Sequence, residues 1–383
     1  MSIVRPHWYK KDLLALNELL FASWINVLLV AVPLGFISEH LGWAPLTTFA
    51  LNFIALIPLA LILGDITEDL ALRFGDTIGG LINATFGNVV EVILSVSALM
   101  KGLNTVVATS LLGSILSNLL LVLGTCFICG GYYYKEQHFN ATGNRACSSL
   151  LFLSCIGIVI PTAALQLSEE GASADWVLPV SRGTAIILLI CYGCYLFFQL
   201  KTHKEEFQGE ESEEEPMLSL VMAIGLLTII TIIVAFASEC LTGSIEEVSK
   251  STGVSQAFLG MIILPIAGNA CEHITAVVVA MKNKMDLSLG VAVGSSIQIA
   301  LFAIPFAVMV GWAVGSNFSL ADFDAFPRAG ADARRDPLQL HHRGRDVALA
   351  AGRAAELPRT RSSSGLHDGS SKTIKMPGRL RRG

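Results

Sequence analysis

Charge is what this sequence has least of. Only 15% of its 383 residues are Asp, Glu, Lys or Arg, whereas 53% are hydrophobic, and the mean hydropathy is +0.61. Soluble domains carry about a quarter charged residues, so a water-exposed surface of this size is poorly provided for. That excludes a soluble two-domain enzyme and a nucleic-acid binder. Disulfide pairing is missing too: the eight cysteines form no spaced framework, which excludes a stapled secreted domain. Cys126/Cys129 and Cys191/Cys194 are C-x-x-C pairs, but they lie in apolar runs without a histidine cluster and read as packing residues. Positive charge is scarcest before residue 320. Residues 1–320 hold 13 Lys+Arg against 24 Asp+Glu, a net of −11; residues 321–383 hold 13 against 7, a net of +6.

What the sequence does have is apolar runs of membrane-crossing length, for which about 20 residues are needed. They lie at about 24–38, 46–64, 78–100, 104–130, 146–166, 183–200, 217–238, 254–281 and 286–314. This predicts an all-α polytopic membrane protein. The segment before the first run (Arg5, Lys10, Lys11) has the charge of a signal-peptide start, but no small-residue cleavage site follows, so the first run is read as an uncleaved helix. Positive loops stay cytoplasmic. With the N-terminus inside, the inner loops hold Arg5, Lys10, Lys11, Arg73, Lys135, Arg145, Lys201, Lys204, Lys282 and Lys284, and the outer loops only Lys101, Arg182 and Lys250. The N-terminus and the acidic run Glu205–Glu215 are therefore expected in the cytosol. That run is a solvated linker or a weak cation-collecting segment.

Two stretches repeat one another. Gly87-Asn88-Val-Val-Glu91 is followed by Gly113-Ser114-Ile-Leu-Ser117-Asn118, and Gly268-Asn269-Ala-Cys-Glu272-His273 by Gly294-Ser295-Ser296-Ile-Gln298. The Glu-to-Ser spacing is the same in both, 91 to 114 and 272 to 295. By the loop charges, the helix of Glu91 runs outward and that of Glu272 inward, so the repeats are inverted. Inverted repeats are a secondary-transporter architecture, with the substrate held near the midplane between them.

A carboxylate deep in a membrane helix is costly and by default functional. Each Glu follows a Gly-Asn pair, where Gly loosens the helix and Asn offers an amide oxygen. Two Glu, two Asn, nearby hydroxyls and freed carbonyls make an all-oxygen site, the kind that Ca²⁺ fills with about six to eight ligands. Two carboxylates neutralise one divalent ion. Without it they are two like charges in a low dielectric, which protons relieve. The pair can therefore carry Ca²⁺ or H⁺ in turn. Protonated glutamates acting as interhelical glue would not explain the repeat. Glu68 (in Thr67-Glu68-Asp69) and Glu239 (in Ser238-Glu239) are read as ending the helices before each motif, either as interfacial carboxylates or as ion and proton entry points. His273 is either a proton relay or a packing residue. No catalytic constellation marks an enzyme.

These motifs, with Met281-Lys-Asn-Lys-Met-Asp286, Asn83-Ala-Thr-Phe-Gly-Asn88 and the segment Gly113–Gly124, resemble the signature repeats of the cation/proton exchanger (CAX) family, and within it the fungal vacuolar Ca²⁺/H⁺ exchanger group. The similarity runs from about 24 to about 314. It implies that Glu91 and Glu272 alternate between Ca²⁺ and H⁺, with Asn88 and Asn269 as oxygen partners. It implies supporting roles for Gly87, Gly268, Ser117 and Gln298, an acidic helix in the cytosolic loop, and residence in the vacuolar membrane. Ca²⁺, H⁺ and membrane lipid are the implied partners, with no cofactor and no nucleic acid.

The resemblance also divides the chain. Residues 1–23 are a cytosolic segment, 24–200 the first helix plus a five-helix repeat, 201–216 the acidic loop, 217–314 three helices of the second repeat, and 315–383 an atypical basic tail expected to be disordered. Family arithmetic places two more helices after Gly315, so the tail reads as a frameshift or a mis-assigned exon, or else as a genuine disordered basic tail. The rival functional readings are a Na⁺-coupled Ca²⁺ exchanger and a truncated membrane protein without transport.

Overall fold

The chain's computed structural model describes residues 7–167, 175–203 and 215–323, and among them it is helical without strands. In chain order the helices are α1 (His7–Phe21), α2 (Ala31–His40), α3 (Pro45–Phe86), α4 (Val89–Met100), α5 (Asn104–Leu116), α6 (Leu123–Tyr133), α7 (Ala141–Leu167), α8 (Val177–Phe197), α9 (Leu220–Thr252), α10 (Gln256–Phe258), α11 (Leu264–Gly268), α12 (Ala270–Met281), α13 (Met285–Gln298) and α14 (Ile304–Ala313). Single turns of wider π geometry join α5 to α6 (Ser117–Val122), α10 to α11 (Leu259–Ile263) and α13 to α14 (Ile299–Ala303). Such turns gather at functional sites.

Local chemistry sets the helix ends. Ser219 caps α9 by accepting the Met222 N–H, and Gly253, at φ +76°, closes the other end in the left-handed conformation that glycine adopts without strain. Pro45 opens α3 at a position where no N–H is needed. Asp12 of α1 accepts the Ser219 N–H (2.9 Å) and hydroxyl (2.8 Å), while Asp69 of α3 accepts the Met217 and Leu218 N–H groups. The start of α9 is thereby tied to both α1 and α3.

Among the described residues, Pro45–Phe74, Asn104–Tyr133, Gly143–Leu165, Val177–Thr202, Leu220–Thr252 and Met285–Ala313 are each long and apolar enough to cross a bilayer. Two further spans are bent pairs: Lys11–Phe21 with Trp24–His40, at 92°, and Gln256–Gly268 with Ala270–Met281, at 56°. The expected runs at 46–64 and 78–100 share one helical stretch. The helix pattern continues to Phe86, yet a Cβ on Gly79 would collide with the Ala71 carbonyl. Eight residues of straight helix cover about 12 Å, so α3 doubles back between Ala71 and Gly79, and its last part leads into α4.

Three expectations need correction. Glu68 and Glu239 do not end helices; both are exposed residues well inside α3 and α9. The expected tail also begins too early. Phe318, Leu320, Ala321 and Phe323 are buried, and the Thr162 hydroxyl of α7 donates to the Leu320 carbonyl at 3.0 Å. The remainder of the tail, 324–383, lies outside the described residues, as does most of the acidic loop.

One apolar core spans both repeats. α3 packs along α9, α4 packs on α9, and α12 packs on α3. Leu56, Leu94 and Leu111 from the first repeat join Leu241, Ile297 and Leu301 from the second in a single buried cluster. The exposed faces are equally apolar (Phe152, Ile187, Val221 and Ile232 among them), as a lipid-facing surface must be.

Candidate functional site

Both Gly-Asn pairs interrupt a helix. Asn88 (φ −110°, ψ 25°) separates the end of α3 from α4, and Asn269 (φ −86°, ψ 16°) separates α11 from α12. Neither asparagine is helical, so each break frees backbone carbonyls and N–H groups inside the protein. Glu91 and Glu272 fall in the first turn of the helix that restarts, where the helix dipole favours negative charge. Both are enclosed, at 4% and 8% exposure.

The two breaks interlock. The Asn88 side-chain amide donates to Gln298 Oε1, and Ser295 Oγ donates to Asn88 Oδ1 at 2.8 Å. In the mirror arrangement, Asn269 Nδ2 donates to the Ser114 carbonyl at 3.1 Å. Each repeat's asparagine thus reaches the other repeat's Gly-Ser pair. Glu91 crosses in the same way: a Cβ on Gly268 would lie 2.8 Å from Glu91 Oε1, so any larger residue there makes the carboxylate shift. Glu272 stands four positions further along that broken helix, within electrostatic reach of Glu91.

Both Glu91 oxygens, Glu272 Oε2 and Asn269 Oδ1 are buried without a hydrogen-bond partner. Buried acceptors left unpaired carry a penalty that only a donor or a cation relieves. Beside Glu91 is a cavity of about 10 Å³, lined also by Ser110, Ser114, Leu264, Pro265 and Gly268, the volume of roughly one water-sized particle. No cluster of three or more His, Cys, Asp or Glu occurs among the described residues. The carboxylates buried at the breaks themselves are Glu91 and Glu272, with Asp65 and Glu68 of α3 acting on the adjoining Cys271, and the asparagine and backbone oxygens there are neutral: the composition of a site for a divalent cation or for protons.

The expected residues are not all placed alike. Glu91, Glu272, Asn88, Asn269 and Gly268 are buried at the breaks, and Gly87 and Gln298 are half-buried beside them. Ser117 makes no hydrogen bond to either asparagine; its neighbour Asn118 is fully buried, with both amide atoms unpaired, on the turn that packs against α12 and α13. The His273 ring pairs with Thr125 of α6 at 2.9 Å. Glu68 and Glu239 are exposed positions within α3 and α9, away from the two breaks in sequence. Sequence reasoning passed over Ser295, Ser110 and the Ser114 carbonyl as site groups, although the common offset between the repeats marks Ser114 and Ser295 as equivalents.

Interlocked broken helices around a buried carboxylate pair define a membrane cation transporter built from two like halves. Comparison with known proteins places it further: the chain belongs to the sodium/calcium exchanger protein family, whose model matches residues 44–201 and 222–327. It is 45% identical over 309 residues to the vacuolar calcium ion transporter of Schizosaccharomyces pombe, covering 79% of this chain and 75% of that one. It is 42% identical over 332 residues to vacuolar cation/proton exchanger 2 of Arabidopsis thaliana, covering 82% and 74%. Among solved structures it is similar to native YfkE (36% identity, TM-score 0.67, 78% of this chain and 85% of that one). The H⁺/Ca²⁺ exchanger CAX shares the fold (14% identity, TM-score 0.64, 82% and 77%).

Proposed function

We propose that this chain is a Ca²⁺/H⁺ antiporter of the vacuolar membrane, moving cytosolic Ca²⁺ into an acidic lumen in exchange for protons by alternating access. Glu91 and Glu272 bind the cation together and take up protons once it has gone. Asn88 and Asn269 hold the two breaks against each other, and Asn269 Oδ1 joins the carboxylate oxygens on the ion. Gln298 and Ser295 fix the Asn88 amide so that its backbone break keeps its geometry. The N-terminus and residues 201–216 face the cytosol, on the strength of the Lys/Arg distribution between loops. Glu68 lies on the path by which ions reach the site, and Glu239 on the path by which they leave.

The observation that carries this reading is the unpaired Glu91 carboxylate, seated on Gly268 of the opposite repeat within reach of Glu272. The names of the relatives, a vacuolar calcium ion transporter and cation/proton exchangers, support the choice of ions.

The test is Ca²⁺ uptake into acid-loaded vesicles by the wild-type chain, Glu91→Gln and Glu272→Gln. Both substitutions are expected to abolish uptake, because an amide cannot trade a proton for a cation. Full activity in either variant refutes the site assignment. Uptake driven by a Na⁺ gradient and indifferent to a pH step would replace the proton by Na⁺ as the exchanged ion.

A further inference from the structure

The two repeats each carry a lysine where the restarted helix ends, and the structure treats the two differently. Lys101 stands ten residues after Glu91, and Lys282 ten after Glu272. Lys101 Nζ donates to the Glu239 carbonyl of α9 at 2.6 Å. Its ammonium occupies the space beside Gly243, where a Cβ would approach Nζ to 2.7 Å. One turn back along α4, Ser97 Oγ and Thr242 Oγ1 of α9 are hydrogen-bonded at 2.8 Å. The seam between α4 and α9, which leads from Glu91 to the protein surface, is therefore closed by two successive polar ties.

The equivalent seam lies between α12 and α3. Thr67-Glu68 in α3 corresponds to Ser238-Glu239 in α9, so Leu72 stands where Gly243 would be needed, and Val278 and Ala71 replace the hydroxyl pair. At that position a leucine side chain, 37% exposed, stands in place of the glycine hydrogen. Lys282 is exposed, and among the described residues its ammonium makes no hydrogen bond or ion pair.

We propose that Lys101 is a latch on the α4–α9 seam: a tethered cation whose docking on the Glu239 carbonyl holds the ion site shut on that side, with no counterpart on the α12–α3 seam. It rests on the exchanger reading given above. An exchanger must open each side in turn, so the latch has to release when that side opens. The chemistry suits such a release. Glu39 of α2 and Glu239 act on the same spot as Lys101, beside Cys240. A divalent cation leaving along the seam meets these oxygens and competes with the ammonium for them. Lys101 is a positioning residue: it touches neither Glu91 nor the ion site.

The experiment uses the purified full-length chain in detergent without Ca²⁺, and follows modification of Cys240 by a hydrophilic thiol reagent through peptide mass spectrometry. Native cysteines stay in place, and Cys126 and Cys147, both buried, report an intact fold by remaining unmodified. Lys101→Met and Gly243→Ala each remove the tie, one by deleting the ammonium and the other by filling its seat. Each is expected to speed Cys240 modification about two- to tenfold, the range set by one hydrogen bond's net worth, with Cys126 and Cys147 still protected. Lys282→Met is expected to leave Cys240 unchanged. If Lys101→Met disturbs the fold, Gly243→Ala decides, since alanine is favoured over glycine inside a helix. An unchanged Cys240 rate in Gly243→Ala, or an equal increase in Lys282→Met, overturns the latch. The exchanger reading fails separately, in the vesicle assay, because labelling requires no transport.

Discussion

Replacing Gly268 by alanine adds one methyl group at the point where the two repeats touch. That methyl would lie 2.8 Å from Glu91 Oε1 and 3.3 Å from its carboxyl carbon. An ordinary carbon–oxygen contact needs about 3.4 Å, so the carboxylate has to withdraw by roughly half an ångström. It has little room to do so: Glu91 is 4% exposed and the adjoining cavity is about 10 Å³. Overpacking of this kind costs about 1–3 kcal/mol. At 1.4 kcal/mol per factor of ten, Ca²⁺ affinity should fall by about five- to 150-fold. The same overpacking lowers fold stability by at most about 3 kcal/mol, so uptake is compared at equal amounts of folded protein. The assay is the initial rate of Ca²⁺ uptake against Ca²⁺ concentration in acid-loaded vesicles, normalised to protein content. Gly290→Ala in α13 is the control, since a Cβ there meets nothing within 4 Å. An unchanged half-saturation in Gly268→Ala, or an equal loss in Gly290→Ala, refutes the contact between Glu91 and the opposite break.

Other perturbations read the surrounding geometry. Ser295→Ala leaves Asn88 Oδ1 buried without its donor, a loss of about 1–3 kcal/mol, and should raise the Ca²⁺ half-saturation while Ser296→Ala, whose hydroxyl bonds only its own helix at Ala292, does not. Asp12→Ala removes both bonds to Ser219 at the start of α9; at about 1.5–3 kcal/mol for hydrogen bonds to a charged group, it should lower the thermal midpoint by several degrees, and an unaltered midpoint would count against that tie. Raising the pH on the Ca²⁺-loading face should lower the half-saturation for Ca²⁺, because protons and the cation compete for Glu91 and Glu272; a pH-independent half-saturation excludes a shared site.

The apolar runs and both Gly-Asn-x-x-Glu motifs are legible because each signal is local. A 20-residue stretch without charge has few fates other than a bilayer, and a repeated spacing needs no contact map. The helix boundaries between 64 and 86 are less legible: Asp65, Glu68, Asp69 and Arg73 suggest a loop, yet the helix continues through them. Its own hydrogen bonds and its packing on α9 outweigh the local charge. Ser117 and His273 were named from their positions in the motifs, and the direction in which a side chain leaves a wide π turn or a restarted helix cannot be read from spacing.

The sequence by itself determined the membrane class and the inverted pair of acidic motifs, since composition, period and residue type decide these. Only the tertiary structure decided how the halves engage. That Asn88 meets Ser295 while Asn269 meets the Ser114 carbonyl, that Glu91 rests on Gly268, and that Lys101 is docked while Lys282 is not are contacts between residues well over a hundred positions apart. They depend on how closely two helix backbones approach, and that distance is set by the packing of the entire core.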